Sequence, residues 1–227
     1  MTKPRTIVFP IYNGVTHLDF TGPHQFLSRL PNAEVIVASV GGHQVVADKL
    51  TFSDLTVLET IAQCDVLCVP GGSGCINAME DEAYMAAIRC LGRSARYITS
   101  VCTGSLILGA AGLLEGKRAA CHWAWRDMLP AFGAIVDEGR VVRDGNVLTG
   151  GGVTAGIDFA LTLIAELDGA DVAQSIQLGL EYAPAPPFNS GRPDIAPQHI
   201  LDSYMDRLAP IMRERRAVVA GIAASKS

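Results

Sequence analysis

The strongest constraint on the fold is a regular alternation of short apolar, β-branched runs with longer helical patterns. Such runs are typical of buried strands, and their alternation with helices is typical of a mostly parallel sheet covered on both faces. The sequence therefore predicts an α/β fold in which helices sandwich such a sheet. An Asp-Gly pair between apolar residues at 141–148 predicts one antiparallel hairpin. The predicted strands are residues 5–11, 34–40, 66–69, 96–101, 117–121 and 147–149, and the predicted helices are residues 21–30, 81–94, 105–114, 123–132 and 154–167.

The C-terminal part of the chain follows a different pattern. A helical pattern at 171–182 ends in a proline-rich stretch at 183–187, which interrupts regular structure. A last amphipathic helix follows at about 197–220. With 227 residues, the chain has the length of one sizeable α/β domain. We therefore expect a single domain over residues 1–227, with a C-terminal helical extension at about 184–227.

Composition limits the partners and the compartment. The residues are 49% hydrophobic and 18% charged, which predicts a well-buried core. The net charge is −5 and the basic residues are scattered, so nucleic acid is not an expected partner. No apolar run reaches the roughly 18 residues that span a bilayer, and no signal-peptide layout is present. The six cysteines form no CxxC pair, so we expect reduced thiols in the cytoplasm. Without HxH or HExxH spacing, no metal site is expected.

A cysteine stands at a predicted strand-to-helix corner, residues 99–105 (TSVCTGS). Cys102 would lie on a tight turn, with its sulfur pushed away from the sheet and beside the positive end of the next helix. Both features favour the thiolate, which is the nucleophilic form. Burial in the core is the usual role of a free cysteine, and we expect it for the other five. Gly104 and the small neighbouring residues suit a sharp turn, so the sequence predicts that Cys102 is a nucleophile.

A glycine-rich segment, residues 69–74 (VPGGSG), follows the strand before Cys102. Glycines let backbone N–H groups point into the space at the carboxyl ends of the strands, where parallel sheets bind ligands. Beside a nucleophile, such groups can form an oxyanion hole. A plain turn is the alternative, whereas the lack of a following lysine argues against a nucleotide loop.

Asp19 lies directly after the first predicted strand, within residues 18–23 (LDFTGP). Judged by residue type alone, the favoured interpretation is that Asp19 or Thr21 caps the first helix. The apolar neighbours Leu18 and Phe20 support a second interpretation. They predict a partly buried carboxyl group with a raised pKa, able to transfer a proton.

Two other features, His122 and the glycines at 150–152, can each be interpreted in two ways. His122 follows a predicted strand, where it could pair with Cys102 or serve as a satisfied structural histidine. The glycines at 150–152 could form a junction that moves when Cys102 reacts. Alternatively, they only allow a helix to pack closely on the sheet.

These segments together resemble the ThiJ/PfpI superfamily, a branch of the class I glutamine-amidotransferase-like proteins with a flavodoxin-like fold. The resemblance covers about residues 5–183 and rests on the glycine motif at 70–72 and on the Cys102 elbow. Thr103 stands where PfpI-type peptidases place a histidine, and Asp19 stands where redox and deglycase branches place a glutamate. The segments most similar to the isocyanide hydratase branch are residues 18–23, 99–105, 122–124 (HWA), 149–152 (TGGG) and 180–188.

The resemblance implies a cofactor-independent enzyme that hydrates isocyanides, R–N≡C, to N-substituted formamides. Cys102 would attack the terminal carbon, and Asp19 would protonate that carbon and then assist water, with a thioimidate on Cys102 as the intermediate. Thr103 would contribute its hydroxyl or amide, and the Gly72 amide would stabilise developing charge. The resemblance also implies a homodimer with the active site near the interface.

Other functions would use the same residues. A thiol sensor or ligand-binding module would use a reactive Cys102 without turnover, and a glyoxalase or deglycase would be another enzyme of the superfamily. A regulator of the AraC type would need a helix-turn-helix domain of about 100 residues after the core, whereas 45 residues follow Tyr182.

Overall fold

The computed structural model of the chain describes residues 4–225. In this part, the strands are β1 (Arg5–Pro10), β2 (Ala33–Ser39), β3 (Val45–Ala47), β4 (Leu50–Phe52), β5 (Thr56–Val57), β6 (Val66–Val69), β7 (Tyr97–Val101), β8 (Arg118–Ala119), β9 (Ile135–Val136), β10 (Val141–Asp144) and β11 (Val147–Gly150). The α-helices are α1 (His17–Leu27), α2 (Cys75–Glu80), α3 (Glu82–Ser94), α4 (Gly104–Ala110), α5 (Ala155–Asp168), α6 (Ala170–Gly179) and α7 (Gln198–Ala224).

The central sheet has seven strands in the order β10-β11-β7-β6-β1-β2-β5. Its neighbouring strands pair in parallel, except in the β10–β11 hairpin. The predicted α/β class, the mostly parallel sheet and the hairpin are therefore confirmed. Because the chain runs from β1 to β2 on one side and later returns to β6 on the other, the winding reverses beside β1. Sheets of this kind bind ligands at the carboxyl ends of the strands around such a point.

Buried polar side chains gather around the corner between β7 and α4. Ser100 on β7 and Ser105 on α4 share a hydrogen bond of 2.8 Å, and Ser105 donates to the Ala120 carbonyl at 2.5 Å. The Ala120 N–H donates to Thr149 Oγ1 on β11 at 2.8 Å. These bonds satisfy groups that would otherwise be costly to bury, and they fix the segment after β8 against the corner.

Two predicted elements differ from the structure. The strand expected at 117–121 is reduced to β8, which pairs with β9 outside the central sheet. The helix expected at 123–132 is a 3₁₀ helix, Arg126–Phe132. Pro130 lies within it and lacks the N–H that an α-helix would use at that position.

The tail packs on the rest of the molecule through α7. Met212 and Val219 on this helix are buried, and Arg216 donates to Asp127 at 2.8 Å. The expected last helix is confirmed and extends to Ala224. The single domain over 1–227 with an extension from about 184 stays a prediction, and its residues 1–3 and 226–227 lie outside the described part.

Among residues 4–225, no helix is both long enough and apolar enough to cross a membrane.

We expect Met212→Ala to lower the free energy of unfolding by roughly 2–3 kcal/mol, because it removes a buried side chain and leaves a cavity under α7. Met212 is 2% exposed, whereas the adjacent Ile211 is 47% exposed and provides the matched control. Denaturant unfolding of Met212→Ala and Ile211→Ala measures the difference. Equal losses would contradict the packing of α7.

Candidate active site

Three neighbouring strands bring the candidate residues together. The strands β1, β6 and β7 lie side by side and run in parallel. Asp19 follows β1, Gly71 and Gly72 follow β6, and Cys102 follows β7. Because the carboxyl ends of parallel strands meet at one edge of the sheet, these segments converge there.

Cys102 occupies a strained turn between β7 and α4. Its φ is 59°, in the left-handed region that non-glycine residues rarely adopt. The Cys102 N–H donates to the carbonyls of Gly150 (3.1 Å) and Gly151 (2.7 Å), which hold this conformation. A Cβ atom on Gly104 would lie 2.1 Å from the Val69 carbonyl oxygen, so only glycine fits there. The predicted strand-to-helix elbow is confirmed.

Asp19 does not cap α1. The N-cap residue is Thr16, and the Asp19 carboxyl group turns away from the helix to accept a hydrogen bond from the Gly71 N–H (Oδ2, 3.0 Å). The cap interpretation is therefore wrong for Asp19. It is also wrong for Thr21, whose hydroxyl donates to the His17 carbonyl inside the helix. Asp19 is fully buried, and its Oδ1 makes no hydrogen bond of normal geometry to a described residue.

Burial controls the proton equilibrium of Asp19 and Cys102. It raises the pKa of Asp19 to about 7, while the Cys102 thiol and the Gly71 N–H oppose that rise. Burial also raises the pKa of the Cys102 thiol well above its usual value, and the charge of Asp19 raises it further. Desolvation therefore opposes the thiolate that the sequence predicts, in spite of the N-terminus of the short helix α4. Both shifts disfavour the charged forms, so the coupled pair favours at most one negative charge.

Gly71 and Gly72 place the backbone between Asp19 and Thr103. A Cβ atom on Gly71 would lie 2.4 Å from the Thr103 nitrogen and 2.8 Å from Asp19 Oδ2, so a side chain is excluded. Gly72 has a φ of 152°, and its N–H donates to Thr103 Oγ1 at 2.9 Å. The Gly72 N–H is therefore bonded to the Thr103 hydroxyl in this structure, and its expected part in stabilising developing charge stays a prediction.

His122 has hydrogen-bond and packing contacts of its own. Its Nδ1 accepts a hydrogen bond from the Ala124 N–H at 3.3 Å, and its ring lies against Gly152. Burial lowers the pKa of His122, so the ring is neutral at neutral pH. The described contacts favour the structural interpretation of His122 over a Cys–His pair.

A cavity of about 470 Å³ adjoins the segments that follow β8 and β11. Cys121 and Gly151 line it, and both also belong to the surroundings of Cys102. The Gly151 carbonyl binds the Cys102 N–H, and Cys121 is close enough to raise the pKa of Cys102. Within residues 4–225, no group of three or more His, Cys, Asp or Glu side chains is arranged to hold a metal ion.

Sequence reasoning missed Gly71 as the hydrogen-bond donor to Asp19, and it missed the carbonyls that hold Cys102. It also missed Tyr12, whose hydroxyl donates to the Pro70 carbonyl at 3.0 Å and steadies the glycine segment. The pair of glycines at 71–72 was the one local feature that could have pointed to a backbone donor at Gly71. The other contacts depend on strand pairing that no local pattern shows.

The fold and the site define a class: flavodoxin-like α/β proteins with a cysteine on the elbow after a central parallel strand. The chain belongs to the DJ-1/PfpI family, whose sequence pattern matches residues 5–166. It is 52% identical over 226 residues to an isonitrile hydratase of Pseudomonas putida, covering 96% of each chain. A crystal structure of a ThiJ/PfpI family protein from Pseudomonas syringae matches with a TM-score of 0.91 and 40% identity, over 98% of this chain and 91% of that one. A glutathione-independent glyoxalase of Caenorhabditis elegans is 27% identical over 49% of this chain and 60% of its own.

We expect Asp19→Asn to remove a pH dependence of stability. The folded state raises the pKa of Asp19 from 3.8 to about 7, so the folded chain binds the proton more tightly than the unfolded chain does. Stability is therefore lost as pH rises through this window, by about 4 kcal/mol at roughly 1.4 kcal/mol per pH unit. The free energy of unfolding of Asp19→Asn, minus that of wild type, should therefore increase from about pH 4 to about pH 7. Above about pH 7 this difference should stay constant.

Denaturant unfolding across this pH range measures the effect, with Asp206→Asn on the exposed face of α7 as the control. Parallel stability curves for wild type and Asp19→Asn would show that the folded chain does not raise the pKa of Asp19.

Proposed function

We propose that this protein hydrates isocyanides to N-substituted formamides through a covalent bond to Cys102. Two findings support the proposal: the near full-length similarity to an isonitrile hydratase, and the buried Asp19–Cys102 pair. The observation that carries the mechanism is Asp19 Oδ1, a buried carboxylate oxygen without a normal hydrogen-bond partner among the described residues. Such atoms are rare in folded proteins, and this one belongs to a carboxyl group that interacts with the Cys102 thiol.

The first step adds the thiol across the terminal carbon of the isocyanide. That carbon accepts a nucleophile and then needs a proton. The Asp19 carboxylate takes the thiol proton while the sulfur forms a bond to carbon, and Asp19 then gives this proton to the same carbon. The S–H bond breaks, the S–C and C–H bonds form, and the product is a thioimidate on Cys102. A neutral thiol in the resting enzyme fits this order of steps, because Asp19 activates it only when substrate is present.

The second step releases the product. Asp19 is ionised again and takes a proton from water as the oxygen adds to the thioimidate carbon. Asp19 passes this proton to the nitrogen, and as the C–S bond breaks the proton left on the added oxygen moves to sulfur while the C=O bond forms. One water and one isocyanide become one formamide, and no metal or organic cofactor enters the steps.

Thr103 and Gly72 assist as a pair. The Gly72 N–H donates to Thr103 Oγ1, which polarises the hydroxyl and makes it a better donor. The Thr103 hydroxyl donates to the Gly72 carbonyl at 3.2 Å. It supplies a hydrogen bond to charge that develops on the substrate by turning from this carbonyl, and the Gly72 N–H acts through Thr103.

A sensor function is less well supported by the same chemistry. Oxidation of cysteine requires thiolate character and exposure, whereas Cys102 is 5% exposed and its pKa is raised. All six cysteines are free in the structure, which fits the proposed location in a reducing cytoplasm.

We expect Cys102→Ala to abolish formamide production, because no other group forms the covalent bond. Asp19→Asn should lower kcat by about 100-fold or more, since an amide neither takes nor gives the proton. A panel of isocyanides followed by formamide detection measures both variants, with Cys90→Ala as a control outside the site. Isocyanide turnover by Cys102→Ala at a tenth of the wild-type rate would remove Cys102 from the mechanism.

The proposed enzyme acts as a homodimer whose interface lies near the active site. The proposal rests on the resemblance and on helix α1, which carries Asp19 near its start. Light scattering at micromolar concentration should give twice the mass of the chain, and the mass of one chain would contradict the dimer.

A further inference from the structure

The segment that follows β1 binds the backbone on both sides of Gly71. The Tyr12 hydroxyl donates to the Pro70 carbonyl at 3.0 Å, and the Thr16 N–H donates to the Gly71 carbonyl at 2.9 Å. Asp19, at the end of the same segment, accepts a hydrogen bond from the Gly71 N–H at 3.0 Å. One short piece of chain therefore both orients this N–H and receives its hydrogen bond.

The bonds to Tyr12 and Asp19 are made at the two ends of a single peptide group. The carbonyl of Pro70 and the N–H of Gly71 belong to one peptide bond, whose electrons are delocalised. A hydrogen bond donated to the carbonyl oxygen draws electron density toward that oxygen. The N–H then becomes a stronger donor, since hydrogen bonds in a chain polarise one another. Tyr12 therefore acts on Asp19 through this peptide group.

The Gly71 N–H matters because the Asp19 carboxylate has little other stabilisation. Asp19 is fully buried, and its Oδ1 has no normal hydrogen-bond partner among the described residues. The Gly71 N–H and the Cys102 thiol oppose the rise that burial causes in the pKa of Asp19. A weaker Gly71 donor would therefore shift Asp19 toward its protonated form.

Tyr12 is suited to this part because it keeps its proton. Burial raises the pKa of its hydroxyl well above the usual value, and the charge of Asp19 raises it further. The other titratable groups that face Asp19 are Cys102 at the elbow, Cys121 after β8 and Asp48 in the turn between β3 and β4. Burial keeps Cys121 neutral by raising its pKa. The charge of Asp48 opposes ionisation of Asp19, which makes the Gly71 donor more important.

We propose that Tyr12 is a positioning residue of the active site, because its hydroxyl orients and polarises the peptide group whose N–H binds the Asp19 carboxylate. The inference rests on the proposed function for the part that Asp19 plays in the reaction, whereas the effect of Tyr12 on Asp19 requires no substrate. Loss of the hydroxyl makes the Asp19 carboxylate harder to form and leaves the Cys102 nucleophile in place.

Tyr84 provides a matched control. Its hydroxyl is also buried and donates to a backbone carbonyl, that of Pro10, at 2.9 Å. The N–H of the same peptide group belongs to Ile11 and donates to the Ala38 carbonyl at 2.8 Å, which does not titrate. Tyr12→Phe and Tyr84→Phe therefore remove the same kind of hydrogen bond, but only the first acts on a titratable side chain.

The test follows the ionisation of Asp19 by carbon-13 NMR of protein labelled in aspartate, with Asp19→Asn to identify the carboxyl signal. In Tyr12→Phe the midpoint should move to higher pH by about 0.5, because the N–H becomes a weaker donor to a charged group. Tyr84→Phe should keep the wild-type midpoint. Placing 3-fluorotyrosine at position 12 gives a stronger donor of nearly the same shape and should move the midpoint to lower pH. This form decides the question if Tyr12→Phe does not fold.

A second readout uses the proposed reaction. Since Asp19 first acts as a carboxylate, kcat/KM for an isocyanide should rise with pH as Asp19 ionises. Tyr12→Phe should lower kcat/KM about threefold below the midpoint and restore it above the midpoint, since a shift of 0.5 in pH is about a factor of three. A purely structural loss would lower kcat/KM by the same factor at every pH.

The outcomes separate the two proposals. An Asp19 midpoint that stays at the wild-type pH with phenylalanine and with 3-fluorotyrosine at position 12 would overturn the role of Tyr12, while the hydratase function stands. An equal shift in Tyr84→Phe would also contradict it. A wild-type protein that converts no isocyanide would overturn the proposed function, and the NMR midpoints would still decide the role of Tyr12.

Discussion

The burial of the Asp19 carboxyl group is the constraint on which the rest of the site depends. A carboxylate removed from water costs several kcal/mol unless it is paired or protonated. Here its described partners are one backbone N–H, from Gly71, and the Cys102 thiol. With so little compensation, its pKa rises to about 7, and the carboxyl group can both accept and donate a proton near neutral pH. The same desolvation raises the pKa of the Cys102 thiol.

The backbone geometry around the pair follows from this arrangement. Gly71 passes so close to Asp19 and Thr103 that no side chain fits, and Cys102 adopts a left-handed conformation. Left-handed backbone is costly for a non-glycine residue, so it persists only where surrounding bonds fix it. The carbonyls of Gly150 and Gly151 provide those bonds. The strand β11 thus has a structural part in the site without supplying a reactive side chain.

Much of this architecture could be predicted from the sequence, because buried parallel strands and the elbow leave local signals. The strand at Val66–Val69 and the turn at Cys102 are examples. The protonation state of Cys102 could not be predicted, since it depends on how deeply tertiary packing buries the sulfur and Asp19. The hydrogen bond from the Gly72 N–H to Thr103 could not be predicted for a similar reason, because Thr103 lies 31 residues away. The β3–β4 hairpin was missed because Asp48 and Lys49 form its turn without the glycine that usually signals one.

The central claim is that Cys102 and Asp19 add an isocyanide as one unit, and rapid-quench peptide mass spectrometry tests it most directly. After mixing with an isocyanide, the wild-type peptide that contains Cys102 should gain the mass of the whole substrate. Asp19→Asn should form this adduct far more slowly, because it lacks the group that takes the thiol proton and gives it to carbon. An adduct found on Cys75 or Cys121 instead, or formed by Asp19→Asn at the wild-type rate, would contradict the account.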